Sequence, residues 1–412
     1  MADAYIVDHC RTPRGLGRIG KGALSGLHPQ ELGATVLRAL KDRTDLPTDR
    51  VDDIVWGCSN QQNLQGNDLG RMTALAAGYD VKASGVTLDR FCGSALTAIH
   101  FGAASVMSGM EDIVISGGSE MMSFNYGNQK AARTKLFDSD NMNLRRLHPQ
   151  VAQGICADAI ASMEGISRRA TEELAVESQR RADAAIKAGL FARSTIVVRD
   201  ADGQVLLDHE EYPRPSTTLE TLAGLKPVFE GIAHSPVDED GTTQLDLIRR
   251  VLPDLDIDFI HHAGTSSGVV DGAAAMLLAS KRACAENGWT PRARIVAMAN
   301  VGDSPELMLN GPIPAARKVL ARAGMTLDQI DLFEINEAFA VVAEKFIRDL
   351  KLDRDRVNVN GGAIALGHPI GATGAMLVGT LLDELERRDL KTGLVTMCAA
   401  GGMAPAIIIE RV

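Results

Sequence analysis

The chain has 412 residues, a formal net charge of −10, 45% hydrophobic residues, only 4% aromatic ones and 40 glycines. That length exceeds what one core usually serves, so two or three packed units are expected, and the small-residue composition favours an α/β chain over an aromatic-rich β sandwich. The acidic balance excludes a general nucleic-acid binder, no stretch approaches the roughly 20 apolar residues of a membrane span, and the first residues lack a signal-peptide pattern, so a soluble cytoplasmic protein is expected.

In chain order, the pattern predicts a helix over 31–40 and a capped turn entering a strand over 48–57. A strand over 85–88 leads into Asp89-Arg-Phe-Cys-Gly-Ser-Ala-Leu96, which places Cys92 at the start of a small-residue helix over 93–108. There the free amides and the helix dipole would lower the thiol pKa and favour the thiolate, while a buried structural cysteine is the alternative. A short apolar strand over 113–116 then ends at Gly117-Gly118.

From 122 to 268 the character turns polar and reads as an inserted domain. It holds a helix over 171–189 with a capping-box start and an acidic, proline-containing surface excursion over 230–258. His261 and His262 follow with no evident chemical role.

The opening layout then repeats. A helix over 314–323 and a turn and strand over 326–335 match the first set, and equating Val51 with Ile330 gives an offset of 279 that carries Cys92 onto Gly371, just after His368. A small-residue helix over 371–387 and a strand over 394–397 follow, ending at Gly401-Gly402. A duplicated β-α-β unit brings both sets of strand-end loops to one face. The boundaries expected are 1–121 plus 269–290 for the first half, 122–268 for the insertion and 291–412 for the second half.

Four segments carry chemistry: the Cys92 turn, Asn336-Glu-Ala-Phe-Ala340, the glycine-rich run 361–374 around His368, and Thr396-Met-Cys-Ala-Ala-Gly-Gly-Met403 with Cys398. A histidine can take a proton from a cysteine and then polarise a thioester oxygen, and an amide and backbone N–H groups can hold an oxyanion. The six cysteines show no zinc spacing, so reduced thiols and no metal are expected.

Together and in this order, the segments resemble the thiolases, the family of acetyl-CoA acetyltransferases and 3-ketoacyl-CoA thiolases. The stretch Arg11-Thr-Pro-Arg-Gly-Leu-Gly-Arg-Ile-Gly-Lys-Gly22 and Pro29-Gln-Glu-Leu-Gly33 resemble the family's N-terminus. The resemblance implies duplicated five-stranded α/β halves in α-β-α-β-α layers, with an inserted loop domain covering coenzyme A. It also implies a homo-oligomer, tetramer or dimer, acting on acyl-CoA and CoA with no cofactor beyond CoA as co-substrate.

By the same resemblance, His368 activates Cys92 to take an acyl group, and Cys398 moves the α-proton of acetyl-CoA. Asn336, through a water, and His368 form one oxyanion hole, and the amides of Cys92 and Ala400 form the other. Arg214 is placed at the nucleotide end, Ser267 along the pantetheine, and Met308 and Phe339 at the acyl end. An ordinary exposed arginine is the alternative for Arg214, and ordinary core positions for Met308 and Phe339.

The departures from the family pattern are specific. Asp89-Arg90 precede the nucleophile, Ala95 replaces a common glycine, and Ala400 puts a Cβ on the second oxyanion residue. Gln153-Gly-Ile-Cys-Ala-Asp158 stands in place of His-Met-Gly-x-Thr-Ala-Glu, which leaves the acyl group open. A decarboxylating ketosynthase working from an acyl carrier protein, and a catalytically silent acyl-CoA binder, are the competing functions. Cys398 argues against the first.

Overall fold

The structure, a computed structural model of the chain, describes residues 2–125 and 136–412, so part of the 122–268 segment lies outside the described residues. The first half contributes β1 (Ala4–Arg11), β2 (Gly15–Leu16), α1 (Pro29–Thr44), β3 (Asp53–Gly57), α2 (Leu69–Ala76), β4 (Val86–Leu88), α3 (Ser94–Ser108) and β5 (Ile113–Met121). The middle of the chain supplies α4 (Gln153–Met163), α5 (Arg168–Lys187), the ribbon β6 (Val198–Arg199) and β7 (Val205–Leu207), and then β8 (Val270–Ser280), which returns to the first half. The second half follows with β9 (Ala293–Gly302), α6 (Pro312–Ala323), β10 (Leu332–Ile335), α7 (Ala340–Leu350), α8 (Thr373–Arg387), β11 (Thr392–Thr396) and β12 (Met403–Arg411).

The strands form one mixed sheet in the order β10-β11-β12-β9-β1-β8-β5-β3-β4, with β2 on β8. Among the described residues its halves join where β1 meets β9, at Tyr5 opposite Arg294 and Ile6 opposite Ala293. In each half the two β-α-β strands run parallel, β3 beside β5 and β10 beside β11, and the long return strand is antiparallel. The first half has five strands in this order. The fifth strand of the second half is reduced to a single parallel bridge between Phe333 and Val357.

The core explains the layering. Ala95, Leu96, Ile99 and Val106 of α3 and Ala375, Met376, Val378 and Leu382 of α8 pack with Val55, Val114 and Met276 of the first half and Val395, Ile407 and Ile409 of the second. Both helices are therefore sandwiched between the half-sheets, which is why α3 carries apolar or small residues almost all round. Outside them, α1 and α2 cover the first half-sheet, and α6 and α7 cover the second. This is the α-β-α-β-α stack. Both ends of α3 and α8 lie 279 residues apart (94 to 373, 108 to 387), the offset read from the sequence.

Four expectations are corrected. Gly117 and Gly118 do not end β5, which runs on to Met121 against β8; they lie inside it because a Cβ at Gly118 would collide with the Gly371 carbonyl oxygen. Helix α5 starts a turn earlier than expected, at Arg168, because the Ser167 hydroxyl caps it by accepting from the Ala170 N–H. The 230–258 stretch is not only surface: the helix Gln244–Arg249 buries Leu245, Leu247 and Ile248. Finally, the window Phe91–Ser108 is apolar enough by length and composition to cross a bilayer, with mean hydropathy 1.3, but 67% of it is buried between the half-sheets.

The α3–α8 contact is close at Gly374, where a Cβ would lie 2.6 Å from the Leu96 Cβ. Alanine is the better helix former by about 1 kcal/mol. Even so, Gly374→Ala should lower stability by about 1–3 kcal/mol through overpacking, seen as a lower urea midpoint at unchanged slope. A raised midpoint would show that the helix pair has slack.

Candidate active site

Cys92 lies in a tight turn between β4 and α3. Asp89 Oδ1 accepts from the Phe91 N–H (2.6 Å), while Ser94 Oγ accepts from the Arg90 N–H (2.9 Å) and donates to the Phe91 carbonyl (2.6 Å). These bonds hold Phe91 at φ +50, a costly conformation for an aromatic residue, and set Cys92 two positions ahead of the helix with 5% exposure. Gln153, the first residue of α4, donates a side-chain hydrogen bond to the Cys92 sulfur.

The expectation of a depressed thiol pKa does not hold. Burial pushes the Cys92 thiol up to about 12, with the charges of Glu120 and Asp89 adding to the rise, and it outweighs both the residue's own backbone N–H and Gln153. A helix start favours a thiolate only where solvent or a cation shares the charge, and here the site is closed.

His368 is 5% exposed, and its N–H donates to the Gly268 carbonyl (2.9 Å). Nδ1 lies 2.6 Å from Thr373 Oγ1, and that hydroxyl donates its proton to the Pro369 carbonyl (2.9 Å). The hydroxyl can then only accept from the ring, so Nδ1 carries the proton and Nε2 is left bare. Nε2 faces the Asn336 side-chain amide at 3.4 Å, and Asn336 Oδ1 is buried with no partner. Burial, with the Arg14 guanidinium second, pushes the imidazole down to about 3. The resting ring is neutral.

Asn336 follows β10, and its own N–H is bonded to the Thr396 carbonyl of β11. Its neighbour Glu337 is 3% exposed and accepts from Ser178 Oγ of α5 (2.6 Å), Asn358 Nδ2 (3.0 Å) and the Ile364 N–H (3.2 Å). One carboxylate thus ties the insertion to the loop that carries His368. Burial raises its pKa.

Cys398 follows β11 and is fully buried; burial raises its thiol pKa, with the charge of Cys92 contributing next, which places the two sulfurs in one electrostatic neighbourhood. The Ala399 N–H donates to the Met403 carbonyl (2.7 Å), and Gly401 and Gly402 each take φ +74. The two glycines carry the left-handed turn, so Ala400 bears its Cβ outside the left-handed region.

Close backbone approaches bring these loops together. A Cβ at Gly57, the last residue of β3, would sit 2.6 Å from the Ala95 nitrogen and 2.7 Å from the Gly371 oxygen, so the start of α3 and the His368 loop meet over the same glycine. A Cβ at Gly93 would lie 3.0 Å from the Pro405 ring of β12.

The positions assigned to CoA form a path outward. The Ser267 N–H donates to the Ala338 carbonyl (3.0 Å) and Ser266 bridges Phe339, so this loop threads between Asn336 and His368. The Tyr212 ring packs on Gly268, and the exposed Arg214 stacks its guanidinium over Tyr212 at 5.7 Å. Met308 is fully buried at φ +61, and Phe339 packs edge-on against Phe229 and His261.

His261 Nδ1 lies 2.6 Å from Asp158 Oδ1, and His262 Nε2 lies 3.2 Å from Glu172. The pair anchors the insertion to this loop. A cavity of ≈ 400 Å³ between α5 and α7 has Glu337 in its lining but none of Cys92, His368 or Cys398.

The sequence reading missed Thr373, Gln153, Arg14 and Glu120. Of these, Thr373 in the glycine-rich run, Arg14 in the 11–22 stretch and Gln153 in the 153–158 segment stood in motifs, although the sequence assigned none of them a role. Glu120 is brought in by tertiary contact.

A duplicated α/β fold with two thiols, a neutral imidazole and an amide at its strand ends defines an acyl-transfer enzyme. The family models give the family. The N-terminal domain model of thiolase matches residues 4–236 and the C-terminal domain model matches 289–411, so the chain belongs to the thiolase family. It is 40% identical to a steroid 3-ketoacyl-CoA thiolase of Mycobacterium tuberculosis, covering 100% of this chain and 95% of that one. It is 39% identical to a beta-ketoadipyl-CoA thiolase of Escherichia coli, covering all of both chains. Among solved structures it is similar to the Bacillus anthracis acetyl-CoA acetyltransferase, with TM-score 0.83 and 32% identity over 100% of this chain and 99% of that one.

Two outcomes follow from this geometry. Thr373→Val removes the acceptor that fixes the His368 tautomer at nearly constant volume, and should lower kcat by about 10- to 100-fold; an unchanged kcat would show that the ring is held otherwise. Alkylation of Cys92 by iodoacetamide, followed by peptide mass spectrometry without substrate, should keep rising with pH up to pH 9. A plateau near neutral pH would reveal a resting thiolate.

Proposed function

We propose that the chain is a 3-ketoacyl-CoA thiolase that runs thiolysis and Claisen condensation through an acyl group carried on Cys92. The observation that carries this reading is the buried His368 ring, neutral and with Nε2 bare, on a loop that meets the Cys92 end of α3 over Gly57, in a site where burial raises the pKa of both Cys92 and Cys398. A low-pKa base and a high-pKa thiol do not form a standing ion pair. The proton therefore moves from Cys92 to Nε2 as the sulfur attacks the carbonyl, when the new C–S bond and an oxyanion replace the thiolate.

In thiolysis, Cys92 attacks the 3-keto carbon, the C2–C3 bond breaks, and Cys398 protonates the departing acetyl-CoA carbanion. The CoA thiol then gives its proton to the Cys398 thiolate as its sulfur attacks the Cys92 thioester, and the Cys92 sulfur leaves with the proton that His368 Nε2 had taken, so both thiols and the neutral imidazole are restored. Condensation reverses these steps, with Cys398 removing the α-proton of acetyl-CoA. Asn336, through a water, and His368 hold one oxyanion, and the amides of Cys92 and Ala400 hold the other.

Every proton and acyl group in this cycle is exchanged among the two cysteines, the histidine and CoA thioesters, so CoA serves as co-substrate and no further cofactor is required. Ser267 and Arg214, both within the 122–268 insertion, follow the pantetheine and nucleotide of CoA along the Tyr212 path, while Met308 and Phe339 face the acyl end. The relatives support the substrate class: the thiolases of M. tuberculosis and E. coli are named for a steroid 3-ketoacyl-CoA and for beta-ketoadipyl-CoA.

The test is incubation with CoA and a series of 3-ketoacyl-CoA esters beginning with acetoacetyl-CoA. Acetyl-CoA formation is expected from at least one, and none from any ends this reading. Cys92→Ala should abolish acylation by acetyl-CoA on intact-protein mass spectrometry. Cys398→Ala should still acylate but fail to make or break the carbon–carbon bond; equal loss of both steps contradicts the division of labour.

A further inference from the structure

One carboxylate that these transfers do not use reaches the catalytic loop from the opposite half of the molecule. Glu120, 1% exposed near the end of β5, accepts from the Gly371 N–H at 3.0 Å, three residues after His368. It also accepts from the Ser59 and Asn60 N–H groups at 2.9 and 3.2 Å, in the loop that leaves β3. A single side chain therefore links the ends of two first-half strands to the second-half loop that bears the imidazole.

The surroundings add to this link. Gly57 and Gly118 leave no space for a Cβ against the Gly371 carbonyl, so the loop rests on bare backbone while the Gly371 N–H points to the carboxylate. The 279 offset carries Ser119 onto Cys398 and Glu120 onto Ala399. The same strand end that delivers a reactive thiol in the second half delivers a carboxyl acceptor in the first. Three N–H donors suit an ionised carboxylate, whereas a carboxamide offers one accepting oxygen and turns an NH2 group toward those same donors.

We propose that Glu120 is a positioning residue for the thiolase reaction: its carboxylate holds the Gly371 end of the His368 loop against the first half and so sets where Nε2 stands relative to Cys92. The proposal rests on reading Cys92 and His368 as the reacting pair. The three N–H groups that Glu120 holds belong to Ser59, Asn60 and Gly371 and not to Ser267, Tyr212 or Arg214, so weakening it slows chemistry and leaves CoA affinity in place.

The experiment compares full-length wild type with Glu120→Gln and Glu120→Asp, all rates expressed per CoA-binding site. Glu120→Gln should acylate Cys92 from acetyl-CoA about 10- to 100-fold more slowly, with KM for CoA within about twofold of wild type. Glu120→Asp, which keeps the charge on a shorter arm, should fall between the two. Wild-type acylation rates in CoA-binding Glu120→Gln overturn the proposal. If that variant does not fold, Glu120→Asp decides: a slowed rate per site supports the clamp, and an unchanged rate overturns it. Failure of wild type to turn over any 3-ketoacyl-CoA would instead remove the thiolase reading itself.

Discussion

Where the His368 loop crosses the ends of β3 and β5, the Gly371 carbonyl sits against Gly57 and Gly118 with no room for a Cβ on either. On the far side of the same junction, Gly374 is pressed onto Leu96 of α3. The rest of the molecule depends on this backbone contact. Two half-sheets clasping a pair of small-residue helices can bring their strand ends together only if the residues at the crossing are glycine. The β1–β9 pairing is brief, so the α3–α8 layer and the crossing are what hold the two halves in register.

The electrostatics follow from that closeness. A site with its reactive groups 5% exposed or less cannot hold separated charges at rest, and burial drives the imidazole and the two thiols toward their neutral forms. Such a site is poised for proton transfer coupled to bond formation. The carboxyl groups around it, whose pKa values burial also raises, are held by hydrogen bonds from several elements at once: Glu337 by α5 and the His368 loop, Glu120 by two loops of opposite halves. Both carboxylates act on the histidine loop from outside the reacting atoms.

The 122–268 segment reaches the site through α4 and α5, whose Gln153 contacts the nucleophile and whose Ser178 contacts Glu337. Its buried Asp158–His261 and Glu172–His262 contacts fasten the helices to the 263–268 loop. That loop in turn accepts the His368 N–H through Gly268. The two histidines, without chemistry in the sequence, are thus structural ties between the cover and the catalytic floor.

The sequence alone determined the duplication, its 279-residue offset, and the four segments with Cys92, Asn336, His368 and Cys398, because strand-end loops in a repeated β-α-β unit keep their spacing whatever packs around them. It also carried the family resemblance, which the matching domain models bear out. Tertiary structure alone decided the protonation states: the local rule at a helix start pointed to a thiolate at Cys92, and enclosure by the second half reversed it. The run of β5 through Gly117-Gly118, the roles of the two histidines, and the partners Gln153, Arg14 and Glu120 were likewise settled by groups distant in sequence. Burial and hydrogen-bond satisfaction are sums over everything that packs nearby, and no local pattern encodes them.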